Sequence, residues 1–259
     1  MSRSPDSLTE RSADPLGRLL REARVTGSIF SRAELRGSWG LHTRGTEHAL
    51  FHVVVAGGGE VECDGRTEAF SHGDVLLFPR GHAHALRDSP GRETTWIGSL
   101  ARIPGGVPTV EAGTPGSRTA LLCGSFRVGP PLDRIFAIGL PPLVRVSLAA
   151  TAGWLDGTGR WLAETVDASQ SEGHVVVDRL LEVLLVEVIR AWAGNVPGIL
   201  APLFDPVLAP AIGAVISDPA RSWSTGTLAR RAGVSRTAFF ERFQAVATEP
   251  PGRWVTRYR

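Results

Sequence analysis

The stretch that most constrains the fold of this 259-residue chain is TGTLARRAGVSRTAFFERF, residues 225–243. The pattern predicts two short helices around a tight turn. Gly233 suits the left-handed residue that ends a helix. Ser235 suits the N-cap of the next helix, because its hydroxyl can accept a bond from a free backbone N–H. Phe239 and Phe243 share one face of that second helix. They would pack on the apolar face of the first helix, formed by Leu228, Ala229 and Ala232.

This arrangement is typical of a helix-turn-helix, in which the second helix enters the major groove of DNA. We expect phosphate contacts from Arg230, Arg231 and Arg242, and base-edge contacts from Arg236 and Thr237. Two further residues complete the predicted DNA-binding set, Ser235 and Phe240. The alternative is an ordinary pair of packed helices.

Charge is distributed unevenly along the chain. The formal net charge is only +2, yet residues 221–259 hold eight arginines against two glutamates, a local balance of +6. The other residues therefore carry −4, from 20 arginines and 24 acids. A basic end on an acidic body is the pattern expected of a nucleic-acid-binding segment.

The same residues carry a family resemblance. Leu228-Ala229, Ala232-Gly233-Val234-Ser235-Arg236-Thr237 and the two phenylalanines are followed by Glu249-Pro250-Pro251 and Trp254. Together they resemble the DNA-binding module of the AraC/XylS family of bacterial transcriptional regulators. The resemblance implies DNA as a partner, a homodimer, and RNA polymerase as a further candidate partner. Family members usually carry two helix-turn-helix units, and the second is missing here. Glu241 stands where the family usually has arginine.

The first half of the chain shows a different period. Short β-like runs are separated by Gly, Pro and Asp, which suggests a sandwich or barrel. These runs are 28–35, 49–56, 59–63, 66–70, 75–78, 84–87, 94–100 and 120–127.

The stretch GDVLLFPRGHAH, residues 73–84, adds a second resemblance. Gly73, Pro79, Gly81, His84 and Asp88 follow the spacing of the second cupin motif. The segment therefore resembles a cupin, a small jelly-roll β-barrel, and such barrels form the effector domain of many AraC-type regulators. The resemblance implies a small-molecule effector and a pocket lined by Trp39, His48, His52, His82 and His84.

Histidines in such barrels often bind a metal ion. His48 and His52 are four residues apart, so they would share one face of a strand. His84 comes from the second motif, and Cys123 lies on a later predicted strand. His52, His84 and Cys123 would suit Zn²⁺. Leu50 stands where the glutamate of the first cupin motif would fall, so hydrogen-bonded core histidines and a buried apolar Cys123 are the alternative.

One long helix follows the barrel, predicted over 175–193. Its broad apolar stripe is either plain core or a dimer interface. The stripe comprises Val177, Leu180, Leu181, Leu184, Leu185, Val188 and Trp192. Shorter helices are predicted over 16–23, 160–168 and 206–217, with a loop around Trp154 and a linker at 202–206.

The predicted architecture is α+β, a cupin-type jelly-roll barrel followed by a helical linker and an all-α helix-turn-helix domain. We expect a disordered segment at 1–13, a cupin-like sensor domain at 14–136 and a helical linker and dimerisation region at 137–201. A truncated AraC-type DNA-binding domain with the first helix-turn-helix only would occupy 202–259.

Several functional classes are disfavoured by the sequence. No 18-residue apolar run predicts a membrane span. The N-terminus lacks a signal-peptide core, so a cytoplasmic protein is expected. The chain has only two cysteines, and the cytoplasm is reducing, so we expect no disulfide framework. The leading hypothesis is a non-enzymatic DNA-binding regulator. The alternatives are a metal-dependent cupin enzyme with a vestigial helical tail, and a truncated remnant that does not bind DNA.

Overall fold

The computed structural model describes residues 24–104, 107–130, 132–147, 175–194 and 196–259. These residues form two compact units. The first is built from Val25–Val128 and Leu140–Trp192, and the second from Gly129–Gly139 and Ala193–Arg259. The segment predicted to be disordered, the helices predicted over 16–23 and 160–168, and the loop around Trp154 lie outside the described residues.

Twelve strands are described in the first unit. They are β1 (Thr26–Arg36), β2 (Gly40–His42), β3 (Ala49–Ala56), β4 (Gly58–Cys63), β5 (Arg66–Ser71), β6 (Asp74–Phe78), β7 (His84–Arg87), β8 (Thr95–Trp96), β9 (Arg102–Ile103), β10 (Thr109–Gly113), β11 (Arg118–Arg127) and β12 (Val144–Ser147).

The strands form two sheets. The seven-stranded sheet has the order β12-β6-β3-β11-β1-β10-β9, and the five-stranded sheet has the order β5-β4-β7-β2-β8. Most neighbours are antiparallel, and only β1–β10 and β2–β8 run parallel. Apolar side chains from both sheets fill the space between them, including Trp39, Leu41, Val61, Leu76 and Phe78. This is the jelly-roll barrel that the cupin resemblance implies.

The end of the barrel unit differs from the predicted domain boundary. Leu140–Trp192 belongs to the same unit as the barrel, and β12 pairs with β6 through the register Val144↔Leu77. The domain boundary predicted at residue 136 is therefore wrong, because the pairing of β12 with β6 makes the segment that follows it part of the barrel. Four residues of alternating burial were too short a signal to predict as a strand.

Six helices are described across both units. They are α1 (Leu132–Gly139), α2 (Val175–Ala193), α3 (Ala209–Ser217), α4 (Thr225–Arg231), α5 (Arg236–Ala247) and α6 (Pro251–Tyr258). The predicted bounds of α2 are confirmed. A side chain at Gly27 of β1 would collide with Leu181 of α2 and with Phe126 of β11. The helix thus lies close against the large sheet, and its residues Leu181, Leu184, Leu185 and Val188 are buried.

The second unit has its own apolar core. Phe239 and Phe243 are fully buried, and the Phe243 ring meets Trp254 edge to face at 6.0 Å between centroids. Trp254 Nε1 donates to the Ile199 carbonyl at 2.8 Å. A short 3-10 helix at Ala201–Leu203 is buried in this unit. The linker predicted at 202–206 is therefore wrong at its start, because these residues are core.

Among the described residues, no helix is long and apolar enough to cross a membrane.

Candidate functional site

The turn between α4 and α5 is shaped by local chemistry. Ser224 caps α4 by accepting from the backbone N–H of Thr227 at 3.2 Å. Gly233 has φ of 71°, the left-handed conformation that glycine adopts without strain. Ser235 then caps α5 by accepting from the backbone N–H of Ala238 at 3.2 Å. The predicted left-handed Gly233 and the predicted N-cap Ser235 are confirmed, and the Ser235 hydroxyl is committed to the cap.

The outward face of α5 carries residues of several chemical types. Arg236, Thr237, Phe240, Glu241 and Gln244 are all exposed. Thr237, Phe240, Glu241 and Gln244 follow the spacing i, i+3, i+4, i+7, so they share one face. Sequence reasoning had not included Glu241 and Gln244 among the DNA contacts, although counting this spacing from Thr237 would have found both.

The predicted phosphate-binding arginines divide into two groups. Arg230, Arg231 and Arg236 are exposed, and no described carboxylate pairs with them; Arg230 Nη2 only donates to Thr227 Oγ1, at 3.4 Å. Arg242 instead donates through Nε to both carboxylate oxygens of Asp205, at 2.9 and 3.0 Å. Placing Arg242 at a phosphate therefore needs correction, because its charge is already paired within the protein.

Asp205 has a second role at the start of α3. Its Oδ1 accepts from the backbone N–H groups of Val207 and Leu208, at 2.9 and 3.0 Å. Burial alone would raise the pKa of Asp205, but the bonds from Arg242 and these backbone groups outweigh it and lower the pKa below its ordinary value. The Asp205 carboxylate thus links α5 to the start of α3.

Three C-terminal arginines also have partners within the protein. Arg257 Nη1 donates to the buried Glu249 carboxylate at 3.0 Å, and Arg253 lies 3.7 Å from the same oxygen. Arg259 donates to the carbonyls of Pro219 and Arg221. The basic end is therefore less available for phosphate contacts than its sequence charge suggests.

In the barrel unit, the three predicted metal ligands come together. His52 on β3 faces Cys123 on β11 in the sheet register, and His84 comes from β7 of the other sheet. His52 Nδ1 lies 3.1 Å from Cys123 Sγ, and His52 Nε2 lies 2.8 Å from His84 Nε2. All three side chains are buried. The His84 ring also stacks on Phe78, with centroids 3.6 Å apart.

The His82 carbonyl determines where the protons lie in this series of hydrogen-bonded side chains. His84 Nδ1 lies 2.8 Å from the His82 carbonyl, which only accepts, so His84 Nδ1 carries a proton. In neutral His84, Nε2 then accepts from His52 Nε2–H, and His52 Nδ1 accepts from the Cys123 thiol. The result is a continuous set of neutral hydrogen bonds, Cys123 to His52 to His84 to the His82 carbonyl.

Burial keeps these groups neutral. Desolvation, with a smaller effect from His84, lowers the pKa of His52 well below its ordinary value. Desolvation also lowers the pKa of His84 to about 4, against an opposing hydrogen bond to the His82 carbonyl. Burial raises the pKa of the Cys123 thiol to about 12.

This geometry does not fit a three-ligand zinc site. Cys123 and His84 contact different nitrogens of His52, so one ion cannot replace both hydrogen bonds. Within the described ranges, no group of three His, Cys, Asp or Glu side chains has the geometry to hold a metal. The arrangement fits the alternative of hydrogen-bonded core residues.

The other predicted pocket residues are dispersed. His48 is exposed and lies before β3, in a turn where Thr46 Oγ1 donates to the His48 carbonyl at 2.8 Å. It therefore does not share a strand face with His52, and that expectation is wrong. Trp39 is buried in the core, with its backbone N–H bonded to Asp88. His82 is half-buried, and its Nδ1 has no hydrogen-bond partner among the residues that the structure describes.

An open groove of about 670 Å³ lies elsewhere on the barrel unit. Its walls are Glu34, Arg36 and Glu111–Gly116, at the ends of β1 and β10. Arg118 pairs with Glu34 there at 2.8 Å. None of the predicted pocket residues lines this groove.

Comparison with known proteins gives matches over nearly the whole chain. Residues 14–194 match a family model described as Cupin. A putative AraC-like transcription regulator of Streptomyces lividans is 31% identical, over 95% of this chain and 83% of that protein. The HTH-type transcriptional regulator AlkR of Acinetobacter baylyi is 23% identical, over 95% of this chain and 84% of that protein. The crystal structure of ToxT from Vibrio cholerae covers 90% of this chain and 98% of its own, at 8% identity and a TM-score of 0.36, a likeness too distant to guide the assignment.

Proposed function

The chain belongs to the AraC-type transcriptional regulators that carry a cupin domain, and on that basis we propose that α5 is its recognition helix in the major groove of DNA. Phosphates would be contacted by Arg230 and Arg231 of α4, while Arg236 and Thr237 at the start of α5 would reach base edges. As a member of this family it is a DNA-binding transcriptional regulator.

One observation carries the placement of α5. The helix is capped by Ser235 and held on its inner side by the buried Phe239 and Phe243, so its outer face is presented by a rigid core. The exposed arginines without a carboxylate partner lie at the same end, on α4 and at the first residue of α5. A fixed helix beside unpaired positive charge is what groove binding requires.

The direct test is selection of DNA sites by the full chain, followed by affinity measurements at several salt concentrations. The two arginines assigned to phosphates, Arg230 and Arg231, predict a slope of log affinity against log salt of about −2, at roughly −0.9 per phosphate. An affinity that does not change with salt would contradict the proposed interface.

For the barrel unit, we propose that it senses a small molecule. Cys123, His52 and His84 form a hydrogen-bonded series of side chains in the barrel interior, and a ligand with donors or acceptors would find its partners there. A thermal-shift screen of small metabolites would test this with wild type and His84→Gln side by side. A ligand should raise the melting temperature of the wild type and leave that of the variant unchanged. Equal shifts of the melting temperature in both proteins would mean that the ligand binds elsewhere. The groove lined by Glu34 is the alternative site.

The remaining parts of the proposal follow from the family. The relatives are transcriptional regulators, so we do not assign catalysis to the barrel. A homodimer acting on DNA in the cytoplasm, with RNA polymerase as a further partner, completes the proposal.

A further inference from the structure

The groove-facing side of α5 has an unusual composition for a helix that meets a polyanion. Its four residues at i, i+3, i+4 and i+7 are Thr237, Phe240, Glu241 and Gln244. None of them is basic. This face therefore contributes no attraction to phosphates, and its chemistry is suited to base edges.

Phe240 is the apolar member of this face. Its side chain is 39% exposed, whereas Phe239 and Phe243 on the same helix are fully buried. The core of the unit therefore does not enclose this ring. In the major groove, the apolar group available to such a ring is the C5-methyl of thymine.

Glu241 is the acidic member of this face. It is exposed, and no hydrogen bond or ion pair is recorded for it within the part of the chain that is described. Its neighbour Arg242 is committed to Asp205, so that arginine does not neutralise it. Phosphates would repel this carboxylate, so a favourable contact in the groove requires a hydrogen-bond donor on a base.

Two bases present donors in the major groove. Adenine offers its N6 amino group beside the N7 acceptor, which would repel a carboxylate, whereas cytosine offers its N4 amino group. The carboxylate of Glu241 is therefore best matched to cytosine.

We propose that α5 reads a thymine through Phe240 and a cytosine through Glu241. This assignment rests on the proposed insertion of α5 in the major groove and adds the bases that the helix selects.

Uracil substitution tests the thymine contact, because it removes only the C5-methyl group. After the full chain has selected its preferred site from random DNA, each thymine of that site is replaced by uracil, one at a time. At one position, uracil should weaken wild-type binding about fourfold, from the loss of one buried methyl. Phe240→Ala should bind the two DNAs equally well. Ile138→Ala is the matched control, since it truncates a 47% exposed side chain on α1 and should keep the wild-type difference.

Base replacement tests the cytosine contact. Changing one cytosine of the selected site should weaken wild-type binding about tenfold or more. Glu241→Gln should lose that preference and favour adenine at the position, because an amide pairs with adenine N6 and N7.

The outcomes separate the two levels of the proposal. If the wild type selects no DNA site, both the interface and the base assignment are overturned. If it selects a site but the uracil effect is absent or unchanged in Phe240→Ala, the thymine assignment is overturned and the interface stands. A full cytosine preference in Glu241→Gln would likewise overturn the cytosine assignment.

Discussion

Arg242 shows that a charged residue in the sequence is not always free to contact a ligand. Its position on α5 predicted a phosphate contact, and its Nε is bonded instead to Asp205, a residue 37 positions earlier. Asp205 lay in the linker predicted at 202–206, and its pairing with Arg242 could not be inferred from the sequence, because the fold brings together two residues that are distant along the chain. The caps at Ser235 and Gly233 were predictable because they depend on neighbouring residues only.

The two kinds of arginine should respond differently to neutralisation. Arg231→Gln should make the salt slope of DNA binding less negative by about 1, because one phosphate contact is lost. Arg242→Gln should leave that slope unchanged and lower the melting temperature of the second unit, because the Asp205 carboxylate loses its partner. Affinity titrations across salt, with melting curves of both variants, distinguish the two. Equal slopes for both variants would contradict the assignment.

His84 predicts how the barrel responds to acid. Its pKa is lowered to about 4 when folded, whereas an unfolded histidine titrates near its ordinary value of 6.5. Between these values the unfolded chain binds a proton that the folded barrel does not, so the free energy of unfolding falls as pH drops through that window. The loss attributable to His84 should be about 3 kcal/mol by pH 4.

Urea unfolding of the barrel from about pH 7 to about pH 4.5 measures this effect. His84→Gln keeps an acceptor for His52 and a donor for the His82 carbonyl but cannot titrate, so its stability should depend less on pH. His72→Asn, at an exposed histidine, is the control and should follow the wild type. A variant at His84 with the wild-type pH dependence would show that another group is responsible.

At the scale of the helix and the strand, prediction succeeded where the hydrophobic pattern extends over many residues. The nineteen residues of α2 carry a continuous apolar stripe, and their bounds were predicted correctly. The strands β2 and β9 have only two or three residues, and β12 has four, so alternation gave too little signal. Their positions depend on pairing with distant strands, as β2 pairs with both β7 and β8.

The two faces of α5 predict opposite effects of removing an aromatic ring. Phe239→Ala and Phe243→Ala should each cost the second unit about 3–5 kcal/mol, since both rings are fully buried. Phe240→Ala should cost less than about 1 kcal/mol, because its ring is partly in solvent already. Helicity and melting of the three variants measure this. A wild-type melting temperature for Phe239→Ala or Phe243→Ala would mean that the inner face of α5 is assigned wrongly.

At the scale of the whole molecule, the structure changes how a dimer must be tested. The stripe of α2 was open to two readings, core or dimer interface, and Leu184 within it is buried in its own unit. Arginine at Leu184 would therefore unfold the barrel and report nothing about assembly. The sequence could not separate these readings, because one amphipathic pattern serves both.

Beside that stripe, and sharing Leu180 with it, α2 exposes a second set of apolar side chains. Val176 and Val183 are 51% and 38% exposed, and half-buried Leu180 lies between them at helical spacing. If α2 forms the proposed homodimer, this face is available for a partner helix. Val183→Arg should then yield a monomer with little change in the melting temperature of the barrel, because the Val183 side chain is already 38% exposed.

Sedimentation velocity of Val183→Arg and wild type, at matched concentrations, measures the change in mass. Glu182→Gln is the control, since it alters a neighbouring charge that pairs with Arg179 within the same helix, and it should remain dimeric. A monomeric wild type would contradict the homodimer itself. A dimeric Val183→Arg would place the interface on another surface, and the exposed valines of α2 would then need a different explanation.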